Sequence, residues 1–333
     1  MPRKTEKIRT TSDETWKNVD PKNKKLMEQF LKEKNTRTSD LTIKNYDSDL
    51  HIFFTWNLND NDNKFFIDIK KLDFANFFSW CVDELKWGSA RTNRMRSALS
   101  SFSQFIEKFF DDEYPNYRNL ILKTIESMPK NLAREKTVLK DEQIDFLFKK
   151  LEEDGEYQIL CWLALAVASG SRFAELLRFT VDIIDENNVA FDGIFLETTK
   201  TIKTKGRTKQ GKMLTKFIIK DIFWKPYCRW LDERKLILDT FDKDHNFLFV
   251  RKNGDPAIDS TVRIWVTKIE GYLGSSFYVH ALRHFYTTFL SKKGLSYDLI
   301  KSLVGWDSVQ MCELYDDTSV KDKVWTELEN LKK

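Results

Sequence analysis

Apolar residues recur at helical spacing in segment after segment of this chain. Leu26, Met27, Phe30 and Leu31 form the first set, and Ile43, Tyr46, Leu50, Phe53 and Phe54 the second, behind Ser39 or Asp40 as a cap. Leu72 to Leu85 predicts a third amphipathic helix, Ser89 opens a fourth that continues through Phe105 to Phe109, and Asn57 to Lys64 reads as a turn. Together they predict a compact all-helical domain over residues 21–126. Residues 1–20 are polar, charged and aperiodic, the pattern of a flexible basic arm.

Residues 127–140 are polar and interrupted by Pro129, which predicts a linker to a second domain over residues 141–333. That domain opens with a helix from Asp141 to Leu151 and a buried apolar run from Tyr157 to Ala168. Short extended segments follow at Asn188–Phe191, Gly193–Thr199 and Met213–Ile219, with the lysine-rich stretch before Met213 as a long hairpin turn. Beyond Ile222 the pattern is helical again, apart from turns at Lys252 to Pro256 and Gly271 to Ser276. Val320, Val324, Leu328 and Leu331 place one narrow apolar stripe on a tail helix. The fold class is mainly α: an all-helical domain, then a mixed α/β domain that is mostly α with one small antiparallel sheet.

Size and composition fit this division. A chain of 333 residues, 41% of them hydrophobic, has apolar material for two cores rather than one. No apolar run approaches the roughly 20 residues that cross a bilayer, and no apolar segment follows the first residues as a secretory signal would, so the expected place is the host cytoplasm or nucleoid, away from membranes. Cys81, Cys161, Cys228 and Cys312 are far apart in apolar surroundings and read as reduced core thiols, neither a disulfide framework nor a zinc cluster. The net charge of +4 excludes little; where the cations gather matters more.

They gather around candidate chemistry. Arg172 follows the small-residue turn Ser169-Gly-Ser, and its planar fork suits two phosphate oxygens at once. Glu175 shares its helical face and can orient it. Arg283 lies one turn after His280, so both reach one target. His284 completes an i, i+4 histidine pair, but the segment lacks the intervening Glu of a helical zinc site, so no metal is expected and His284 reads as structural, bonded to nearby backbone. Tyr315 is a phenol with an ordinary pKa of about 10, a weak nucleophile until a base takes its proton or a positive field stabilises the phenolate. Cations around a tyrosine point to breaking and rejoining a nucleic-acid strand, because the phosphodiester gains negative charge on attack. On the fourth helix, Arg91, Arg94 and Arg96 sit beside Thr92 and Asn93, either facing phosphate or forming a solvated basic face.

Ser169-Gly-Ser-Arg-Phe-Ala-Glu-Leu-Leu, His280-Ala-Leu-Arg-His, Leu303-Val-Gly-Trp and Tyr315 resemble, in order and spacing, the successive boxes of the tyrosine recombinase (phage-type integrase) family. The resemblance covers essentially the whole second domain. Thr42-Ile-Lys-Asn-Tyr and Thr92-Asn-Arg-Met-Arg-Ser-Ala-Leu resemble the family's core-type DNA-binding domain more loosely. The resemblance implies that Tyr315 attacks DNA to give a 3′-phosphotyrosyl link, that Arg172 and Arg283 hold the phosphate, and that His280 assists proton transfer. Trp306 stands where the family's commonest residue is histidine; its indole can donate a hydrogen bond but cannot move a proton. Lys200 closes the first hairpin strand, where the family keeps its leaving-group acid, and Lys203, Lys205, Arg207, Lys209 and Lys212 become backbone contacts. The partners implied are double-stranded DNA sites, a homotetramer with a dimer on each site, and DNA-bending accessory proteins, with no metal or nucleotide cofactor and a mobile element or virus as context. A type IB-like topoisomerase would use the same residues as a monomer. A DNA-binding regulator would need no nucleophile, and a metal-dependent transposase would need divalent ions.

Overall fold

A computed structural model describes residues 10–129, 138–206 and 211–318. The chain divides into two compact units, one holding the described residues up to 129 and the other almost all of those from 138 onward.

The first unit is helical: α1 (Asp13–Lys17), α2 (Pro21–Asn35), α3 (Asp40–Asp60), α4 (Lys71–Asp83), α5 (Ser89–Phe109) and the single turn α6 (Ile121–Thr124). Pro21 starts α2 with its ring-fixed φ while the Asp20 carboxylate takes the Lys22 and Asn23 amides. Ser39 caps α3 by accepting from the Thr42 amide. The apolar stripes meet in an aromatic core in which Phe66 and Phe102 lie 4.7 Å apart and Phe53 and Phe77 4.9 Å apart, both edge to face.

Three sequence expectations change here. Residues 10–20 are not an arm: the Ser12 hydroxyl caps α1, and Val19 is 1% exposed in the core. Residues 1–9 lie outside the described residues. The turn expected from Asn57 begins only after Asp60, because the Asn57 side chain reaches the Lys64 carbonyl and lets α3 run on beneath it. The linker starts later than residue 127, since Asn93 on α5 bonds both the amide and the carbonyl of Met128; residues 130–137 lie outside the described residues.

The second unit opens with α7 (Asp141–Glu153) and α8 (Tyr157–Ser169), then α9 (Phe173–Leu176). Strands β1 (Val189–Ala190), β2 (Phe195–Glu197), β3 (Ile202–Thr204), β4 (Lys212–Leu214) and β5 (Phe217–Ile219) follow, and then α10 (Lys220–Thr240), α11 (Asp259–Leu273), α12 (His280–Lys292), α13 (Tyr297–Val304) and α14 (Gln310–Tyr315). Helix α8 is apolar all round because it is buried all round, from Ile159 to Ser169. The antiparallel order is β1-β2-β5, with Leu196 opposite Ile218, and β3 pairs separately with β4, Lys203 opposite Met213. The lysine-rich stretch is therefore not one long turn. Ile202 and Thr204 point inward and Lys203 outward, a strand alternation hidden by the polar outer face. Cys81, Cys161 and Cys312 are buried free thiols, whereas Cys228, expected in the core, is exposed on α10. Among the described residues no helix is long and apolar enough to cross a membrane.

Candidate active site

Helix α8 ends at Gly170 in the left-handed region, φ +55°. A Cβ there would lie 2.4 Å from the Tyr286 ring, so only glycine lets α12 pack this close. The chain then turns into Arg172, the residue before α9. Glu175 accepts the Arg172 amide at 3.2 Å through Oε2 and the Arg172 Nη1 at 2.8 Å through Oε1. The same Oε2 accepts the Lys216 ammonium at 2.7 Å, with both side chains 1% exposed. Burial alone would raise the Glu175 carboxyl, but Lys216 and Arg172 outweigh it and hold the group below its ordinary value.

Helix α12 supplies the next residues. Arg283, 1% exposed, donates Nη1 to the Gly170 carbonyl at 2.7 Å. Its Nε and Nη2 are buried without a partner among the described residues, and so is the Trp306 indole Nε1. Burial, then the charge of Arg172, pushes Arg283 down to about 10, still protonated at neutral pH. His280 Nε2 is hydrogen-bonded to the Tyr315 hydroxyl. Desolvation of its ring, followed by the charges of Arg283, His284 and Arg172, lowers His280 to about 4, leaving it neutral at neutral pH. With the other nitrogen carrying the proton, neutral Nε2 accepts from the phenol. His284 stacks on the Tyr315 ring at 4.3 Å, and its Nδ1 lies 3.2 Å from the Tyr315 carbonyl.

Helix α13 ends at Gly305, φ +77°, where a Cβ would lie 2.3 Å from Leu214 on β4. That close approach fixes Trp306, whose ring packs 4.9 Å from Tyr315 and 4.8 Å beneath the Arg283 guanidinium. Behind Tyr315, the Asp316 carboxylate accepts from Ser291 at 2.8 Å, Tyr297 at 2.7 Å and the Thr318 amide at 2.9 Å. Burial would raise this carboxyl, but the bonds from Thr318, Tyr297 and Ser291 bring it down to about 2.

The fold thus brings Arg172, Glu175, His280, Arg283, His284, Trp306 and Tyr315 together. It adds Lys216 and Asp316, which sequence reasoning passed over. A lysine next to the apolar run Phe217-Ile-Ile, with a glutamate in the arginine box to receive it, was the available signal. The chemistry on offer is a phenol beside a neutral base, with cationic donors next to it that are unsatisfied among the described residues: an anion site with a nucleophile at its edge. Among the described residues no cluster of His, Cys, Asp and Glu is arranged to hold a metal ion.

Other expected residues have surroundings of their own. Lys200, 68% exposed, is bonded to Asp182 at 2.8 Å. Lys203 and Lys205 are exposed, and Lys212 meets Asp307 at 3.2 Å; Arg207, Lys209 and the tail stripe Val320, Val324, Leu328 and Leu331 lie outside the described residues. In the first unit the three expected arginines have internal partners. Arg91 and Arg94 converge on Asp49 at 2.8 and 2.9 Å, with Arg91 stacked 3.9 Å over Trp87. Arg96 donates to the Ile125 and Leu122 carbonyls and so secures α6. A buried aspartate and the open carbonyls of a short helix claimed these cations, a pairing across tens of residues that spacing along one helix does not reveal.

Residues 137–321 match the profile of the Phage integrase family. The SPbeta prophage-derived recombinase-like protein YomM of Bacillus subtilis (strain 168) is 26% identical over 251 residues, which is 74% of this chain and 71% of the relative. Tyrosine recombinase XerC of Listeria monocytogenes is 24% identical across 70% of this chain and 74% of its own length. Among solved structures, the Tn1549 transposon integrase in complex with circular intermediate DNA superposes with a TM-score of 0.67 at 15% identity, covering 92% of this chain and 98% of that one. The XerH site-specific recombinase bound to palindromic difH substrate gives 0.62 at 19% identity, over 83% and 76%. At such identities the superpositions establish the shared fold.

Proposed function

The chain belongs to the phage integrase family, that of the tyrosine recombinases, and from that premise we propose that it is a site-specific DNA recombinase working through a 3′-phosphotyrosyl intermediate. The observation that carries the reading is the set of buried donors of Arg283 and Trp306, without partners among the described residues, beside the Tyr315 ring. Leaving such donors empty costs stability, and a phosphodiester supplies the acceptors they lack.

In this reading the Tyr315 oxygen attacks phosphorus while its proton passes to His280 Nε2, the base already in contact with it. Arg172, Arg283 and Trp306 hold the non-bridging oxygens as negative charge builds on them. The 5′ oxygen leaves with a proton from Lys200, which must first part from Asp182; that pair is exposed and therefore weak. The phosphotyrosyl bond retains the energy of the phosphodiester, so religation to another 5′ hydroxyl runs the same steps backward with no nucleotide consumed. DNA duplex sites are the partners, acted on by a dimer per site and a tetramer per exchange, with Lys203, Lys205 and Lys212 adding salt-dependent backbone affinity.

The test is covalent trapping on nicked duplexes carrying candidate attachment sequences, in chelator, with the parent and Tyr315→Phe side by side. A DNA adduct mapped to Tyr315 and absent from the variant is the expected result. Specific binding with no adduct would instead favour a regulator built on the same scaffold, and adduct formation only with divalent ions would remove the metal-independent step.

A further inference from the structure

Lys216 is a buried ammonium that the steps above do not use. Its backbone is fixed on both sides by Thr198, whose amide donates to the Lys216 carbonyl at 2.9 Å and whose hydroxyl accepts the Lys216 amide at 3.0 Å. The ammonium is thereby aimed at Glu175 Oε2, 2.7 Å away. Glu175 already has a cation in Arg172, so Lys216 is not needed to neutralise it. A buried ion pair also adds little net stability over apolar residues of the same size. Lys216 matters instead for how the site divides its charge. Arg172, Arg283 and Lys216 stand against the one carboxylate of Glu175, three cations less one anion, leaving a surplus of two. Without Lys216, Glu175 Oε2 would keep the Arg172 amide at 3.2 Å but lose its one ammonium, and the side-chain donors next to it would be guanidinium N–H groups, the same donors a phosphate needs.

We propose that Lys216 is a positioning residue for phosphodiester cleavage: by occupying Glu175 Oε2 it restricts that carboxylate to one end of the Arg172 guanidinium and keeps the arginine donors available to the phosphate. This rests on the strand-transfer reading given above. The role is electrostatic and runs through Glu175, so it depends on Glu175 being charged.

The experiment is single-turnover cleavage of a nicked duplex at saturating protein, with DNA affinity and melting temperature recorded for each variant. Lys216→Met is expected to slow cleavage roughly 100-fold, the scale of a lost transition-state donor, at nearly unchanged DNA affinity. Lys216→Arg, which keeps the charge, should recover most of the rate. In a Glu175→Gln background the carboxylate is gone while a carbonyl remains for Arg172, so adding Lys216→Met should cost no more than about threefold. That comparison decides the matter even where Lys216→Met alone does not fold. Parental cleavage by Lys216→Met, or an equally large loss in the Glu175→Gln background, overturns the positioning role while strand transfer stands. No adduct from the parent protein on DNA it binds specifically would overturn both.

Discussion

The Arg283 guanidinium lies 4.8 Å over the Trp306 indole, and each keeps a buried N–H with no partner among the described residues. The stack orients two donors before any anion arrives, so none of that ordering is left to the reaction step. Trp306→Phe keeps the ring and removes only the N–H. Cleavage in the trapping assay should fall about tenfold or more, the worth of one hydrogen bond to a charged oxygen. Trp306→His, which restores a donor, should regain most of that loss. A Trp306→Phe variant as fast as its parent would mean the indole N–H never meets the phosphate.

Arg283 illustrates the cost of such preparation. It is 1% exposed, and its burial beside the charge of Arg172 lowers it to about 10, so the charged form is disfavoured in the protein alone. Arg283→Met removes that penalty and gives up one charge-assisted bond to the Gly170 carbonyl, worth about 2 kcal/mol. The variant is expected to melt at or above the parent's temperature, yet to cleave at least about 1000-fold more slowly. A clear loss of stability in thermal melts would show that the guanidinium is chiefly a structural strut.

Much of this architecture was legible because helices announce themselves by period. The stripes from Phe30 to Phe105 became the aromatic core of the first unit, and the apolar run before Ser169 became the fully buried α8. The motif residues Arg172, His280, Arg283, Trp306 and Tyr315 were legible because each box lies in a short segment with its own turn or helix. Pairings across the chain were not. Nothing near Arg91 names Asp49 as its partner, and nothing near Lys200 names Asp182. Lys216 was passed over because a lysine in a strand ordinarily faces water, and only the carboxylate of Glu175, brought alongside by the fold, makes its burial tolerable.

Gly305 ties the hairpin to the site. Its φ of +77° suits glycine, and an added Cβ would lie 2.3 Å from Leu214 Cδ1. Gly305→Ala should destabilise the protein by about 2 kcal/mol, combining backbone strain of about 1 kcal/mol with the clash. The clash also displaces the neighbouring Trp306, so cleavage should slow. Adding Leu214→Ala should relieve the clash but not the strain, returning part of the cleavage rate while the chemical-denaturation midpoint stays below the parent's. Full recovery of both would show that the left-handed backbone costs nothing here.

Asp316, directly after Tyr315, should link the stability of this corner to acid. Its carboxyl titrates at about 2 in the folded protein and at about 3.8 without the fold, because the bonds from Thr318, Tyr297 and Ser291 outweigh its burial. A depressed carboxyl contributes stability that is present above the unfolded value and lost as pH falls through the folded one. Here that contribution is about 2 kcal/mol at neutral pH, on the scale of 1.36 kcal/mol per pH unit. Asp316→Asn should therefore unfold at a lower urea concentration than the parent at neutral pH, and the gap should close as the pH falls from about 4 toward 2. Because the same carboxylate anchors the chain behind the nucleophile, the variant should also cleave about tenfold more slowly at neutral pH. A urea midpoint gap that persists unchanged below pH 3 would show that the carboxylate's charge is not what holds this segment.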